Sequence, residues 1–368
     1  MRLLARRGDR AGEVPEYAFL ADTGGPGDIV RWDRTLSFND RSLFLRYQQL
    51  SSAEKDAMIQ AARPLPLDAY RALVALDEPV PSRAPEPQSA AFLLRIALDH
   101  LEKDGTAERL RQMMGGPLTV KNRITLLRAL LTVRIPAPLP EEVHRAIETV
   151  LLIERSARTI VDATALPSFT MNGLGKRPSL ALWQGDITTL KIDAIVNAAN
   201  SHLIGCFTPF HPCIDNAIHW AAGPRLREDC DRIVSAQAGL EPTGCAKATR
   251  AYSLPSRFVL HTVGPIVAGP LDKHPRADLA RCYRACLETA AQLGDVRSIG
   301  FCGISTGVFG FPKDAAARIA LETTRDWLLD HPNTFDHVVF NVFTDQDKAA
   351  YVDALDTLSA ANSRFSDS

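Results

Sequence analysis

From about residue 180 onward, short apolar runs alternate with longer amphipathic segments, and this alternation is the strongest constraint on the fold. The runs with strand character span 180–183, 193–197, 258–263, 298–301 and 337–343. The helical segments between or after them span 215–222, 225–236, 279–293, 314–329 and 347–358. Strands that alternate with helices of this length predict a three-layer α/β domain with a mixed, largely parallel central sheet.

A helical extension is predicted before this domain. Ser89 can cap a helix that carries apolar residues at helical spacing and ends near Gly105. Further helices are expected over 118–132 and 141–160. We therefore place the extension at residues 89–165 and expect it to pack on the domain that follows.

The sequence pattern of the first 88 residues predicts secondary structure least clearly. Short helices are plausible at 42–49 and 52–62, and the segment 79–87 holds four prolines in nine residues. Because proline removes backbone donors and disfavours helix in the residue before it, that segment is predicted to be an extended linker. The expected organisation is a poorly assigned segment at 1–88, then the extension, then the α/β domain at 166–368.

Composition excludes several partner classes. The formal net charge is −1, with 46% hydrophobic and 23% charged residues, so bulk charge does not favour nucleic acid or an anionic membrane. The sequence has no apolar run long enough to cross a bilayer. Seven cysteines, an odd number, without a secretory leader indicate a reducing compartment. We expect a cytoplasmic protein with no nucleic-acid or membrane partner.

Polar segments follow three of the predicted strands, at 184–188, 197–213 and 302–312. In open α/β sheets, ligands bind at the carboxyl ends of the strands, so these segments are the expected site. The third is a loop of small residues that enters a helix near Asp314. Its backbone amides could hold a diphosphate without a lysine, which suits a nearly neutral protein.

The second segment carries three soft metal ligands, Cys206, His211 and Cys213, within eight residues. Three protein ligands leave one tetrahedral position for water or substrate, as in catalytic rather than structural zinc sites. One other interpretation stays open, a disulfide between Cys206 and Cys213, although a reducing compartment disfavours it. The other five cysteines are expected to be small buried hydrophobes, namely Cys230, Cys245, Cys282, Cys286 and Cys302.

Four sequence motifs together resemble the macrodomain, an ADP-ribose-binding fold. They are Gly185-Asp186-Ile187-Thr188, Val196-Asn197-Ala198-Ala199-Asn200-Ser201, Asp215-Asn216-Ala217-Ile218-His219 and Ile304-Ser305-Thr306-Gly307-Val308-Phe309-Gly310. The insert with two cysteines and a histidine is similar to that of the zinc-dependent macrodomains. Those are microbial protein-ADP-ribose hydrolases, some encoded beside a sirtuin-type ADP-ribosyltransferase. The resemblance covers roughly residues 90–358.

The resemblance implies where ADP-ribose binds. Asp186 would accept from the adenine amino group, with Ile187 beside it, and Phe343 would stack on the base. Asn200 would contact the distal ribose. Plain alternatives are a turn-closing aspartate, a core phenylalanine and a turn asparagine. The diphosphate and distal ribose would be enclosed by Ser305, Thr306, Gly307, Val308 and Phe309, which could instead form an ordinary loop.

The resemblance also implies one zinc ion on Cys206, His211 and Cys213. The ion could lower the pKa of a bound water, or it could bind and polarise oxygens of the distal ribose. Asn200 and Asp215 are the other catalytic candidates, since Asp215 could orient water or act as a base.

Simpler structural roles remain open for the residues that follow this insert. Asp215 could be a helix N-cap as well as a catalytic group. His219, one turn later, is expected to support the site or the core rather than to be a fourth zinc ligand.

The function that the resemblance implies is removal of mono-ADP-ribose from modified protein side chains. The bond cleaved joins the distal ribose to the side chain, and a carboxylate ester is the expected linkage. The partners are then ADP-ribose and a mono-ADP-ribosylated protein. Two alternatives use the same pocket, namely a module that binds ADP-ribose without cleaving it and a deacetylase acting on O-acetyl-ADP-ribose.

Overall fold

The structure is a computed structural model, and it describes residues 63–80, 89–102, 105–117, 119–175 and 178–363. The strands are β1 (Val161–Asp162), β2 (Ser168–Phe169), β3 (Ser179–Gln184), β4 (Leu190–Lys191), β5 (Ala194–Ala199), β6 (Ala246–Arg250), β7 (Phe258–Val263), β8 (Ser298–Phe301) and β9 (His337–Val342). The helices are α1 (Leu67–Tyr70), α2 (Ala90–Leu101), α3 (Thr106–Met114), α4 (Val120–Val133), α5 (Glu141–Ser156), α6 (Ile214–Ala222), α7 (Pro224–Gln237), α8 (Lys273–Leu293), α9 (Lys313–Asp330) and α10 (Asp345–Ser363).

A seven-stranded sheet forms the centre, in the order β2-β3-β9-β8-β5-β7-β6. The strands from β3 to β7 in this order are parallel, and the edge strands β2 and β6 run antiparallel to their neighbours. Helices α6, α8 and α10 pack on the sheet, and α9 lies between α8 and α10. The predicted α/β fold with a mixed, largely parallel sheet is confirmed.

The element bounds agree closely with the sequence pattern in the centre of the sheet and less well elsewhere. Strands β7 and β8 match the predicted ranges to the residue. Helix α8 begins at Lys273 rather than at residue 279, because Pro275 falls in its first turn, where the missing N–H costs no helical hydrogen bond. Strand β6 was not predicted.

The helical extension is also confirmed, and it has its own hydrophobic core formed by α2 to α5. Ser89 caps α2 by accepting a hydrogen bond from the Phe92 backbone, as predicted. Helix α5 ends at Ser156 rather than at residue 160. Helix α3 was not predicted, because most of its residues are polar and only Ala107 and Leu110 are buried.

Part of the segment before the extension belongs to the main core. Leu67, Tyr70 and Val74 are buried among the residues that pack on the sheet. The Ala248 backbone N–H donates to the Tyr70 hydroxyl at 2.8 Å, at edge strand β6. The helices predicted at 42–49 and 52–62, and nearly all of the predicted linker, lie outside the described residues. No described helix is long and apolar enough to cross a membrane.

Helix α7 joins the extension to the sheet through a row of charged contacts. Arg225 pairs with Glu148 at 2.6 Å and with Glu141 at 2.7 Å. The innermost contact belongs to Arg227, whose Nη1 donates to the carbonyl oxygens of Leu131, Thr132 and Arg134 at 2.7, 2.8 and 3.0 Å. These carbonyls lie at the C-terminal end of α4, where a cation also complements the helix dipole.

We expect Arg227→Met to lower the free energy of unfolding by about 3–5 kcal/mol, because three carbonyls lose their buried donor. Urea denaturation monitored by circular dichroism measures this change. The control is Arg281→Met, which removes a half-exposed cation from a surface ion pair with Asp278 and should cost less than about 1 kcal/mol. Equal costs for the two variants would contradict the structural role assigned to Arg227.

Candidate functional site

The predicted site residues lie at one edge of the sheet, after the carboxyl ends of β3, β5, β8 and β9. Asp186 follows β3 and Phe343 follows β9. The last residues of these two strands, Gln184 and Val342, pair with each other. Asn200 follows β5 at the centre of the sheet, and β8 leads into the 305–309 loop. The sheet therefore brings together the segments that the sequence singled out.

Cys206, His211 and Cys213 form a compact cluster in the loop between β5 and α6. Their sulfur and imidazole nitrogen atoms all lie within 4.8 Å of one another, and the Cys206 sulfur is 3.7 Å from His211 Nδ1. All three side chains are half-buried. Both cysteines are free thiols, so the disulfide alternative does not apply.

Asn216 and Cys213 fix this loop to the start of α6. The Asn216 amide donates to the carbonyl oxygens of Thr208 and His211, both at 3.1 Å. Cys213 is the N-cap, and its sulfur accepts from the Asn216 backbone N–H at 3.5 Å. Asp215 therefore lies in the first turn of α6 and is not the helix N-cap.

Asn200 shapes the other end of the loop. Its amide nitrogen donates to the Gly205 carbonyl at 2.9 Å, and its side-chain oxygen accepts from the His202 backbone N–H at 3.0 Å. Gly205 has φ +84°, in the left-handed region, and a Cβ there would lie 2.7 Å from Arg227 Nη2 and 3.2 Å from the His219 ring. Only glycine fits this position without displacing the buried arginine.

Arg227 contacts the loop that carries the cluster. Its guanidinium carbon lies 5.0 Å from the centre of the Phe207 ring, in a cation–π contact with the residue next to Cys206. Burial lowers the pKa of Arg227 to about 10, so the group stays charged at neutral pH. Sequence reasoning missed this residue because an arginine in an amphipathic helix usually faces solvent.

Asp215 is buried, with 5% of its surface exposed. Its Oδ1 accepts from the Asn197 amide at 2.8 Å and lies 3.4 Å from His219 Nε2. Burial raises the pKa of Asp215 to about 7, because desolvation of the carboxylate outweighs the hydrogen bond from Asn197. The predicted catalytic carboxylate is thus held in a polar network under the metal-ligand loop.

A second group of potential metal ligands, His219, Cys230 and His261, lies deeper in the same network. Asn197 donates to His261 Nδ1 at 3.2 Å, which leaves His261 Nε2 to donate to the Thr249 hydroxyl at 3.0 Å. Because both ring nitrogens of His261 are used in hydrogen bonds, this group lacks one of its three free ligand atoms, and we assign it to the core. Burial lowers the pKa of His261 to about 3 and that of His219 well below its usual value, so both rings are neutral.

The other end of the site holds Asp186 and Phe343. Phe343 is 74% exposed, so the alternative of a core phenylalanine is excluded. Asp186 Oδ1 accepts from the Thr188 backbone N–H at 2.9 Å and from its hydroxyl at 2.6 Å. A residue that sequence reasoning did not identify, Arg158, forms an ion pair with Asp186 Oδ2. Ile187 is buried beneath this turn.

The loop after β8 has the features of a ligand-binding turn. Ser305 has φ +63°, an uncommon conformation for a residue with a side chain, and its backbone oxygen accepts from Phe311 at 3.0 Å. The Ser305 hydroxyl is buried and makes no hydrogen bond within the described residues. Val308 is 57% exposed and Gly307 is exposed, while Thr306 and Phe309 are half-buried.

Residues 196–320 match the family model of the macro domain. A protein-ADP-ribose hydrolase of Treponema medium is 47% identical over 226 residues, which are 61% of this chain and 85% of the relative. A protein-ADP-ribose hydrolase of Staphylococcus aureus strain Mu50 is 41% identical over 263 residues, 71% of this chain and 96% of the relative. The chain belongs to the macrodomain family.

Among solved structures, the Trypanosoma brucei macrodomain in complex with ADP-ribose is 34% identical. It aligns with a TM-score of 0.46 and covers 61% of this chain and 93% of that one.

We expect Gly205→Ala to destabilise the protein more than Gly294→Ala. Both glycines have left-handed φ, but a Cβ at Gly294 meets no atom within 4 Å, whereas at Gly205 it meets Arg227 and His219. The shared backbone strain costs about 1 kcal/mol, and the clash should add about 1–3 kcal/mol. Urea denaturation of the two variants measures the difference, and an equal loss in both would show that the loop does not press on Arg227.

Stability should fall as pH drops from about 6.5 towards 3, because unfolded His261 takes up a proton in that window and the folded residue does not. This group alone accounts for a loss on the order of 4 kcal/mol. Denaturation at a series of pH values should show a shallower fall in His261→Gln. The control is the exposed His274→Gln, which should follow the wild type; equal slopes for His261→Gln and wild type would contradict the neutral buried ring.

Proposed function

We propose that this macrodomain is a zinc-dependent hydrolase that removes mono-ADP-ribose from modified protein side chains. The hydrolase activity is supported by relatives that are 41–47% identical over most of their length and are named protein-ADP-ribose hydrolases. The single observation that carries the zinc dependence is the cluster of Cys206, His211 and Cys213 beside Asn200. We accordingly propose that the chain belongs to the zinc-dependent branch, which includes members encoded beside sirtuin-type transferases.

The cluster fits a zinc ion. Sulfur and nitrogen ligands on tetrahedral zinc lie about 3.5–3.8 Å apart, and the Cys206 sulfur is 3.7 Å from His211 Nδ1. Two thiolates and an imidazole are the donor set that zinc prefers. The hydrogen bond between the two thiols lowers the pKa of Cys206 and raises that of Cys213, and binding of zinc to both sulfurs would release their protons.

A bound zinc ion would supply Lewis acidity, either for a water molecule or for an oxygen of the distal ribose. The residues of the chain do the positioning. Asn200 holds the Gly205 carbonyl and so fixes the end of the loop nearest β5. It keeps one amide N–H for the sugar, because only one of its two donors is used within the described residues.

Asp215 is proposed to orient the water that attacks the anomeric carbon. Asn197 and the first turn of α6 hold its carboxylate in place. Because Asp215 is buried, it would contact the water from the inner side of the site.

At the other end, Asp186 and Phe343 are proposed to bind adenine, with Ile187 supporting the turn. The exposed Phe343 ring offers a face for stacking. The 305–309 loop would enclose the diphosphate, and the left-handed conformation of Ser305 shapes the turn that would do so. In the sheet, β8 and its 305–309 loop lie between β5, which leads to Asn200, and the β3–β9 pair, which leads to Asp186 and Phe343. The proposed diphosphate loop thus lies between the two proposed ends of the ligand.

We expect the zinc-loaded protein to release ADP-ribose from a mono-ADP-ribosylated protein, and a chelator to lower the rate by about 100-fold or more. Cys206→Ser and His211→Ala should cause a similar loss, because each removes a ligand. The rate is measured as released ADP-ribose under single-turnover conditions. Cys245→Ser, a half-buried thiol outside the cluster, is the control and should retain the wild-type rate.

Two results would contradict this function. Release that persists in the chelator and in Cys206→Ser would remove zinc from the mechanism. Tight ADP-ribose binding without release from any linkage would identify a binding module. An assay with O-acetyl-ADP-ribose in parallel separates the protein hydrolase from a deacetylase.

A further inference from the structure

The helical extension reaches the proposed adenine end of the cleft through a short parallel strand pair. Strand β1 follows α5 and pairs with β4, with Val161 opposite Leu190. Strand β4 directly follows the turn that carries Asp186. This pairing fixes the residues between α5 and β1, including Arg158, beside that turn.

Arg158 contacts both polar side chains of the turn. One of its terminal nitrogens, Nη2, forms the ion pair with Asp186 Oδ2, and the other, Nη1, donates to the Thr188 hydroxyl at 3.0 Å. Thr188 in turn donates twice to Asp186 Oδ1. Both carboxylate oxygens are therefore held, Oδ1 by Thr188 and Oδ2 by Arg158.

These contacts leave one acceptor position on the carboxylate. An ionised carboxylate has about four lone-pair sites. The Thr188 backbone and hydroxyl fill two on Oδ1, and Arg158 fills one on Oδ2. The Asp186 side chain is 43% exposed and that of Arg158 is 37% exposed, so a ligand can reach the remaining site.

We propose that Arg158 is a positioning residue that orients Asp186 and thereby sets the preference for adenine over 6-oxopurines. The inference rests on the proposed ADP-ribose site. A 6-amino group donates to the one open lone pair. A 6-oxo group presents its own lone pairs there, and the carboxylate cannot turn away while Arg158 and Thr188 hold it.

The extension thus shapes the nucleoside end of the cleft as well as contacting α6 and α7. A sequence motif around Asp186 alone would not specify the orientation of the carboxylate, because a single turn residue holds only Oδ1. The second restraint comes from a residue 28 positions earlier in the chain.

The test compares the affinities for ADP-ribose and for its hypoxanthine analogue, inosine diphosphate ribose, by calorimetry. Arg158→Met removes the donors and keeps the length of the side chain. We expect it to bind ADP-ribose about tenfold more weakly and to lose about fivefold or more of the preference for adenine, because the carboxylate is no longer held. Arg158→Lys, with a single charged donor, should retain part of the preference.

Arg257→Met is the control, because Arg257 also forms a surface ion pair, with Asp295, outside the proposed cleft. It should leave both affinities unchanged. If Arg158→Met does not fold, Arg158→Lys provides the test. We expect its preference for adenine to be about threefold lower than that of the wild type.

An unchanged ratio of the two affinities in the Arg158 variants overturns the inference, as does tighter binding of ADP-ribose, which would make Arg158 a competitor of the base. A wild-type protein that binds neither nucleotide overturns the proposed function, and this inference with it. Because calorimetry measures binding without turnover, the two failures are distinguishable.

Discussion

The Arg227 guanidinium donates to three carbonyls at the end of α4 and stacks on Phe207 in the loop that carries the metal-ligand cluster. It also fills the space beside Gly205. A buried cation is costly unless it is fully hydrogen-bonded, so its position is strongly specified. The loop, the extension and α7 must therefore assemble together, and the geometry of the candidate site depends on this contact.

The helical extension consequently has two connections to the cleft. Arg227 links it to the metal-ligand loop, and Arg158 links it to the turn of Asp186. The residues proposed to bind the two ends of ADP-ribose are thus each supported by contacts between the extension and the α/β domain. These contacts fix the positions of the two partly exposed ends of the proposed cleft.

Most of the fold could be predicted because its signals are local. Strands such as β7 and β8 are continuous apolar runs, which is typical of buried parallel strands. Strand β6 was missed because Lys247 interrupts its pattern. That lysine is buried only because Glu241 pairs with it at 2.7 Å, a contact that appears only in the folded chain.

Some residues of the candidate site could also be predicted from the sequence, and others could not. The grouping of Cys206, His211 and Cys213 could be predicted from spacing, since all three fall within one loop. Arg158 and Arg227 could not be found in this way. The sequence around an arginine does not distinguish a solvated side chain from one that binds a carboxylate or the end of a helix. Their partners lie 28 and more than 90 residues away in the sequence, so only the tertiary structure identifies them.

The most direct test of the zinc site is X-ray absorption spectroscopy at the zinc edge on the purified protein, with zinc content measured on the same sample. We expect one zinc per chain, with two sulfur ligands at about 2.3 Å and the remaining ligands nitrogen or oxygen at about 2.0–2.1 Å. Loss of the sulfur signal in Cys206→Ser would assign the ligands. A protein without zinc after growth and purification in its presence, or a zinc ion without sulfur ligands, would contradict the assignment of this loop as the metal centre.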